Sequence, residues 1–362
     1  MSLLTLLLFL AGLAALLGGA ELLVRGAARL AAVFGISPLV IGLTVVAFGT
    51  SSPELAVSVM SATSGQADIA IGNVIGSNIC NVLLILGLSA LITPLVVAQQ
   101  LVRLDVPLMI GASLLFYLFA LDGRIGRLDG LVLFAGVLVY TVWAIRRSRL
   151  ESREIQDAYA KELGEEVPHG ARAIVWQLLL AVAGLGLLTL GSNWLVEAAV
   201  AVAMAFGVSE LIIGLTIISF GTSLPEVATS VMASVRGQRD IAVGNVVGSN
   251  LFNILAVLGL TATVAPEGVA VAASALHFDL PVMLAVMIAC LPIFFTGHCI
   301  ARWEGGLFFG YYLAYIGYLV LASLQHEQLP LLSAVMLWFV LPLTAVTLLV
   351  TTLRAWRERY GC

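Results

Sequence analysis

The chain has 362 residues, 61% hydrophobic and 10% charged, with a mean hydropathy of +1.08. A soluble domain carries about 25% charged residues, so a water-soluble enzyme is a poor candidate. With 17 Lys and Arg against 21 Asp and Glu, a net charge of −4, no basic stripe exists to follow a phosphate backbone. Four scattered cysteines, Cys80, Cys290, Cys299 and Cys362, form no C-x-x-C spacing and make neither a disulfide framework nor a zinc site.

Crossing the hydrocarbon of a bilayer takes roughly 20 apolar residues in a helix. In chain order, segments of that kind fall near 3–24, 37–61, 70–92, 105–121 and 128–146. The first has no basic leader or cleavage site and reads as a retained helix. A long polar stretch from Arg146 to Arg172 follows and reads as a solvated linker. Further spans lie near 173–204, 209–234, 241–264, 277–296 and 304–323, with an eleventh near 330–353. The expected fold is an all-α polytopic membrane protein of 10–11 transmembrane helices.

Lys and Arg are retained on the cytoplasmic side of a membrane. With eleven spans, one side collects Arg25, Arg29, Arg103, the linker cluster, Arg236, Arg239, Arg302, Arg354, Arg357 and Arg359, and the other only Arg124 and Arg127. The expected topology therefore has the N-terminus outside and the linker and C-terminus inside.

Residues 35–88 align without gaps on 207–260 at an offset of 172, and about 33 of the 54 positions are identical. G-T-S-S-P-E-L-A at Gly49–Ala56 faces G-T-S-L-P-E-V-A at Gly221–Ala228, and G-N-V-I-G-S-N at Gly72–Asn78 faces G-N-V-V-G-S-N at Gly244–Asn250. Five spans separate the copies, so the second enters the membrane from the opposite side. Inverted repeats with Gly/Pro-broken helices at matching positions point to a secondary transporter with a mid-membrane site.

Glu54 and Glu226 lie within apolar spans, where a charge costs on the order of 3 kcal/mol on insertion scales. No Lys or Arg lies at comparable depth, so the missing positive charge is either a transported cation or a proton on each acid. Thr50, Glu54 and Ser58 share one helix face, as do Thr222, Glu226 and Ser230. Pro53 and Pro225 each remove a backbone N–H beside the acid. They either kink the helix or free carbonyls near Ala47 and Ser219 for an ion. The next helix of each copy supplies Asn73, Ser77 and Asn81, mirrored by Asn245, Ser249 and Asn253. Two carboxylates with amide and hydroxyl oxygens make the hard-oxygen cage that suits Ca²⁺. Gly72-x-x-x-Gly76 and Gly244-x-x-x-Gly248 suit close helix approach. Asp68, Asp105, Asp240 and Asp279 read as helix N-caps.

G-T-S-x-P-E followed by G-N-V-x-G-S-N-x-x-N, in both copies, resembles the α-repeats of the Na⁺/Ca²⁺ exchanger branch of the cation/Ca²⁺ antiporter superfamily, most nearly its prokaryotic calcium/sodium antiporters. The resemblance is strong over the two blocks, extends over residues 1–323 and is absent from the last span. It implies two inverted five-helix sets, 1–147 and 173–323, around a cytoplasmic linker at 148–172, with 324–362 as an additional helix and tail. It implies a central Ca²⁺ site of Glu54, Glu226, Thr50 and Thr222. Flanking Na⁺ sites would use the Ala47 and Ser219 carbonyls, Ser51, Ser223, Ser77 and Ser249, with Asn81 and Asn253 completing the centre. Some relatives carry Asp at the second of those asparagine positions; both are Asn here, which argues against K⁺ co-transport.

The expected activity is antiport of Ca²⁺ against Na⁺ by alternating access, with Ca²⁺/H⁺ exchange as the alternative. A passive channel and an intramembrane enzyme fit less well: an inverted repeat suits rocking about a central site, and no catalytic dyad or metal motif is visible. No cofactor, nucleic-acid partner or oligomer is implied, and the expected location is a prokaryotic-type inner membrane.

Overall fold

Lipid offers the backbone no hydrogen-bond partner, so each span must satisfy its own amides within a helix. A computed structural model of the protein describes residues 3–34, 36–150, 171–205 and 219–360. Helix α1 (Thr5–Phe34) is followed by α2 (Pro38–Thr50) and α3 (Ser52–Thr63), which meet at a bend of 44°. Then come α4 (Ala67–Ile92), α5 (Leu101–Ala120), α6 (Arg127–Ser148) and α7 (Ile174–Met204). The second half continues with α8 (Ser219–Thr222), α9 (Leu224–Val235), α10 (Arg239–Val264), α11 (Ala275–Phe295), α12 (Arg302–Ser323) and α13 (Leu329–Leu353). Among the described residues nine helices are long and apolar enough to cross a membrane, or ten with α2 and α3 taken as one span. The all-helical polytopic expectation holds. The first part of the span expected at 209–234 and linker residues 151–170 lie outside the described residues.

Among the described residues four two-residue strands add what composition did not reveal: β1 (Leu95–Val96), β2 (Arg124–Ile125), β3 (Val269–Ala270) and β4 (Cys299–Ile300). They pair antiparallel, β1 with β4 and β2 with β3. The α4–α5 connection is thereby joined to the α11–α12 connection, and the α5–α6 connection to the α10–α11 connection.

Helices α4 and α10 lie at the centre, and buried side chains run along both, from Ile71 to Leu86 and from Ile241 to Leu258. The main core gathers these with α5, α6 and α11, whereas α1 and α7 share a second, Ala- and Leu-rich core with faces of α2, α9 and α10. The exposed apolar residues of α1, α6, α7 and α13 are what lipid-facing helices require. Close approach of α2 to α10 depends on glycine: a Cβ at Gly248 would lie 2.6 Å from the Leu43 carbonyl oxygen. Gly244 likewise abuts Leu39, whereas its counterpart Gly72 has nothing within 4 Å. The small-residue expectation thus holds for the second copy and not at Gly72.

The N-cap reading of Asp105 and Asp279 is corrected. Both lie inside continuous helical backbone, where π-turns at Leu101–Asp105 and Ala275–Asp279 run directly into the following α-turns. Asp105 is fully buried and accepts hydrogen bonds from the Tyr140 hydroxyl (3.1 Å) and the Gln100 amide (3.1 Å). Asp279 accepts one from Tyr315 (2.9 Å). The aspartates pin α5 to α6 and α11 to α12. The caps before α4 and α10 are Gln66 and Gln238, with Asp68 and Asp240 in the first turns.

Candidate ion-binding site

Proline sets the geometry of each acidic segment. Pro53 and Pro225 sit at the second positions of α3 and α9, where the missing N–H has no helical partner to lose. Ser51 and Ser223 break the helix just before them, with ψ near zero, and Glu54 and Glu226 fall in the first turns that follow. A carboxylate in a first turn meets the positive end of the helix dipole. Both acids are only 1% exposed.

Hydrogen bonds cross between the two copies reciprocally. Ser51 Oγ donates to Glu226 Oε1 (3.0 Å), and Ser223 Oγ donates to Glu54 Oε1 (3.1 Å). Thr50 Oγ1 donates to Asn245 Oδ1 (3.2 Å), and Thr222 Oγ1 to Asn73 Oδ1 (3.2 Å). Within each copy, Asn73 Nδ2 donates to Ser58 Oγ and Asn245 Nδ2 to Ser230 Oγ, both at 2.9 Å. Adding 172 to the first-copy numbers and subtracting it from the second-copy numbers turns each of these bonds into its counterpart, so the site is two-fold symmetric in its chemistry.

The second oxygens of the carboxylates, Glu54 Oε2 and Glu226 Oε2, are buried with no hydrogen-bond partner. Asn81 Oδ1, Asn253 Oδ1 and Ser249 Oγ are buried and unpartnered too, while Ser77 Oγ lies 3.2 Å from Ser223 Oγ. Natural interiors leave few such atoms. An acidic, oxygen-lined enclosure whose acceptors outnumber its donors matches the chemistry of a hard cation. Asn81 and Asn253 each begin a π-turn, at Asn81–Leu86 and Asn253–Leu258, a local widening common at functional positions.

Two expectations are refined. The Ala47 carbonyl accepts the Ser51 N–H at 3.0 Å and lies 3.4 Å from the Thr50 hydroxyl, so Pro53 does not leave it free. In the second copy the Ser223 N–H bonds the Phe220 carbonyl at 3.1 Å, three residues back, and only the backbone of Ser219 is described. Residues beyond the set that the resemblance implies also join the enclosure. Asn73 and Asn245 tie the threonines to α3 and α9, and Asn250 Oδ1 accepts from Asn81 Nδ2 at 3.2 Å. The signal for Asn78 and Asn250 was already present, since G-S-N is duplicated at matching positions.

A polytopic helical bundle enclosing a two-fold set of buried carboxylate, amide and hydroxyl oxygens defines a membrane protein built around a small cation site. The family model for sodium/calcium exchanger proteins matches residues 4–146 and 176–321, and the chain belongs to that family. It is 32% identical over 351 residues to the sodium/calcium exchanger MaX1 of Methanosarcina acetivorans, covering 86% of this chain and 97% of that one. It is 37% identical over 284 residues to the inner membrane protein YrbG of Escherichia coli strain K12, covering 78% and 87%. Its fold is similar to the sodium-calcium exchanger NCX_Mj soaked with 10 mM Na⁺ and zero Ca²⁺, with a TM-score of 0.76, 31% identity, and coverage of 88% of this chain and 99% of that one.

Proposed function

We propose that the protein is an antiporter that exchanges Ca²⁺ for Na⁺ by exposing one central enclosure alternately to the two sides of the membrane. The observation that carries this reading is the pair of buried, unpartnered carboxylate oxygens, Glu54 Oε2 and Glu226 Oε2, held by reciprocal serine bonds. Two carboxylates balance one Ca²⁺. More than two Na⁺ would exceed that charge and make exchange electrogenic. Thr50, Thr222, Asn81 and Asn253 supply neutral oxygens around the acids, and Ser51, Ser77, Ser223 and Ser249 flank them for Na⁺; the Ala47 carbonyl, already bonded to the Ser51 N–H, has only its second lone pair to add. Because the ions share ligands, occupancy by one excludes the other, which couples the fluxes. The ions are cargo, and no resident cofactor or chemical step is needed.

The alternating architecture is two inverted halves, 1–147 and 173–323, with 324–362 added. Crosswise strand pairing supports it. The connection after the third span of one half pairs with the connection after the fourth span of the other, in both directions. Those connections share a side only when the halves are oppositely oriented. Basic residues then mark the inner side. Arg236 reaches Glu21 (2.8 Å) and Arg302 the Ile92 carbonyl (3.4 Å) there, while Arg127 reaches Ala265 (3.3 Å) on the other side. The start of α1 is thus outside and the linker inside. A prokaryotic inner membrane is the expected location, in keeping with the printed name of the relative YrbG.

Na⁺ is favoured over H⁺ as the driving ion because the positions beside the acids are the neutral Asn81 and Asn253, and because MaX1 is itself named a sodium/calcium exchanger. The test is ⁴⁵Ca²⁺ uptake into proteoliposomes loaded with Na⁺ and diluted into Na⁺-free buffer. Uptake should collapse with a Na⁺ ionophore and survive a protonophore. Uptake driven only by a pH gradient would instead make the protein a Ca²⁺/H⁺ exchanger.

A further inference from the structure

Asn73 and Asn245 stand behind the threonines of the enclosure, and their hydrogen bonds fix where hydroxyl protons go. Asn73 Nδ2 donates to the Glu54 backbone carbonyl at 3.1 Å and to Ser58 Oγ at 2.9 Å. A backbone carbonyl only accepts, so the amide nitrogen must face Glu54 and the amide oxygen must face Thr222. An amide oxygen also only accepts, so across the 3.2 Å contact Thr222 Oγ1 is the donor. A hydroxyl has one proton and two lone pairs. Thr222 also stands within reach of the Glu54 carboxylate, so its single proton has two acceptors to choose between. In the other copy Thr50 Oγ1 donates to Asn245 Oδ1 at 3.2 Å, Asn245 Nδ2 donates to Ser230 Oγ at 2.9 Å, and the Ala47 carbonyl at 3.4 Å is a further acceptor for the Thr50 proton.

A cation bound between the acids needs oxygen lone pairs pointing at it, and a hydroxyl proton pointing inward would repel it. We propose that Asn73 and Asn245 are positioning residues that hold the Thr222 and Thr50 hydroxyl protons away from the enclosure, so that both threonines meet the cation as acceptors. The inference rests on the cation-antiport reading above. It makes each threonine depend on an amide from the opposite copy: Asn73 of the first copy orients Thr222 of the second, and Asn245 of the second orients Thr50 of the first. The outer partner of a metal ligand elsewhere fixes that ligand's proton and orientation in the same way. Rotation about one C–O bond is the only movement required.

The test is Ca²⁺ titration calorimetry on the purified full-length protein in Na⁺-free detergent. Asn73→Leu removes the outer acceptor at similar volume, and Thr222→Val removes the hydroxyl. Each single change should weaken Ca²⁺ binding about fivefold to tenfold, the worth of one hydrogen-bonded ligand. The double variant should bind within about twofold of Thr222→Val alone, because non-additivity is the signature of residues acting through one another. In a Thr222→Ser background, which keeps the hydroxyl, Asn73→Leu should still weaken binding. Losses that multiply in the double variant, or unchanged binding by Asn73→Leu, overturn the inference. Where Asn73→Leu does not give folded protein, the same cycle on Asn245 and Thr50 decides it. A wild-type protein that binds no Ca²⁺ overturns the antiport reading together with this inference, whereas additive variants of a Ca²⁺-binding wild type overturn the inference alone.

Discussion

Replacing Glu226 by Gln keeps the shape and an oxygen for the Ser51 hydroxyl, which now donates to Glu226 Oε1 at 3.0 Å. What is lost is one of the two charges in an enclosure where both acids are 1% exposed. Removing one member of a buried charge arrangement costs about 3–5 kcal/mol, or roughly two to four decades in Ca²⁺ affinity. Folding without cations should respond in the opposite sense. Two like charges buried without a counter-ion oppose the compact state, so Glu226→Gln should unfold at a temperature no lower than wild type in chelator. Wild type should gain about 2.7 kcal/mol at a Ca²⁺ concentration a hundred times its dissociation constant, and the variant no more than about 0.4 kcal/mol at that concentration. Thermal unfolding in detergent, followed by tryptophan fluorescence across a Ca²⁺ series, separates the two effects. A variant that keeps the wild-type Ca²⁺ dependence would refute the assignment of Glu226 to the site. A variant that melts far lower in chelator would refute the claim that its charge is unbalanced there.

Gly248→Ala should destabilise the protein by about 1–3 kcal/mol, because the added Cβ would meet the Leu43 carbonyl at 2.6 Å and Leu43 Cα at 2.7 Å. Gly310→Ala, with nothing within 4 Å, should be neutral or stabilising by up to about 1 kcal/mol in the same melts. Asp105→Ala leaves the buried Tyr140 hydroxyl without the carboxylate it bonds, at about 1–3 kcal/mol. Adding Tyr140→Phe should recover part of that loss, which a helix-cap role would not allow. For topology, a cysteine at exposed Arg124 in a cysteine-free background should react with impermeant maleimide in intact cells, and one at exposed Arg302 only after permeabilisation; the reverse pattern would invert the assignment of sides.

Lipid made much of this fold readable. A charge inside an apolar span has few explanations, and Glu54 and Glu226 stood out because every neighbour was apolar or hydroxylated. The family resemblance carried by the duplicated G-T-S-x-P-E motif put Ser51 and Ser223 forward as candidates, and these are the donors that cross to the opposite acid. The misreadings have physical causes. Asp105-Val-Pro107 has the composition of a helix start, yet the π-turn from Leu101 carries the helix through Asp105 without a cap, and a π-turn leaves no mark in residue spacing. Asn245 lies two turns from Asn253 on one stripe, and spacing alone does not say what it faces. It becomes part of the site only because the Gly244 and Gly248 contacts lay α10 against α2, which brings Asn245 onto Thr50. Likewise, Pro53 pointed to a free carbonyl near Ala47, but the turn at Ser51 takes that carbonyl up locally. The pairing of β1 with β4 joins residues about 200 positions apart through two-residue strands too short for any alternation pattern.

The central claim is that Ca²⁺ and Na⁺ compete for one enclosure closed by Glu54 and Glu226. Equilibrium ⁴⁵Ca²⁺ binding to the purified protein at rising Na⁺, held at constant ionic strength with choline, measures that competition directly. The account predicts one Ca²⁺ per chain, displaced fully by Na⁺ with a Hill coefficient above one, and no saturable binding in Glu54→Gln/Glu226→Gln. Ca²⁺ binding indifferent to Na⁺, or retained by the double variant, would contradict it.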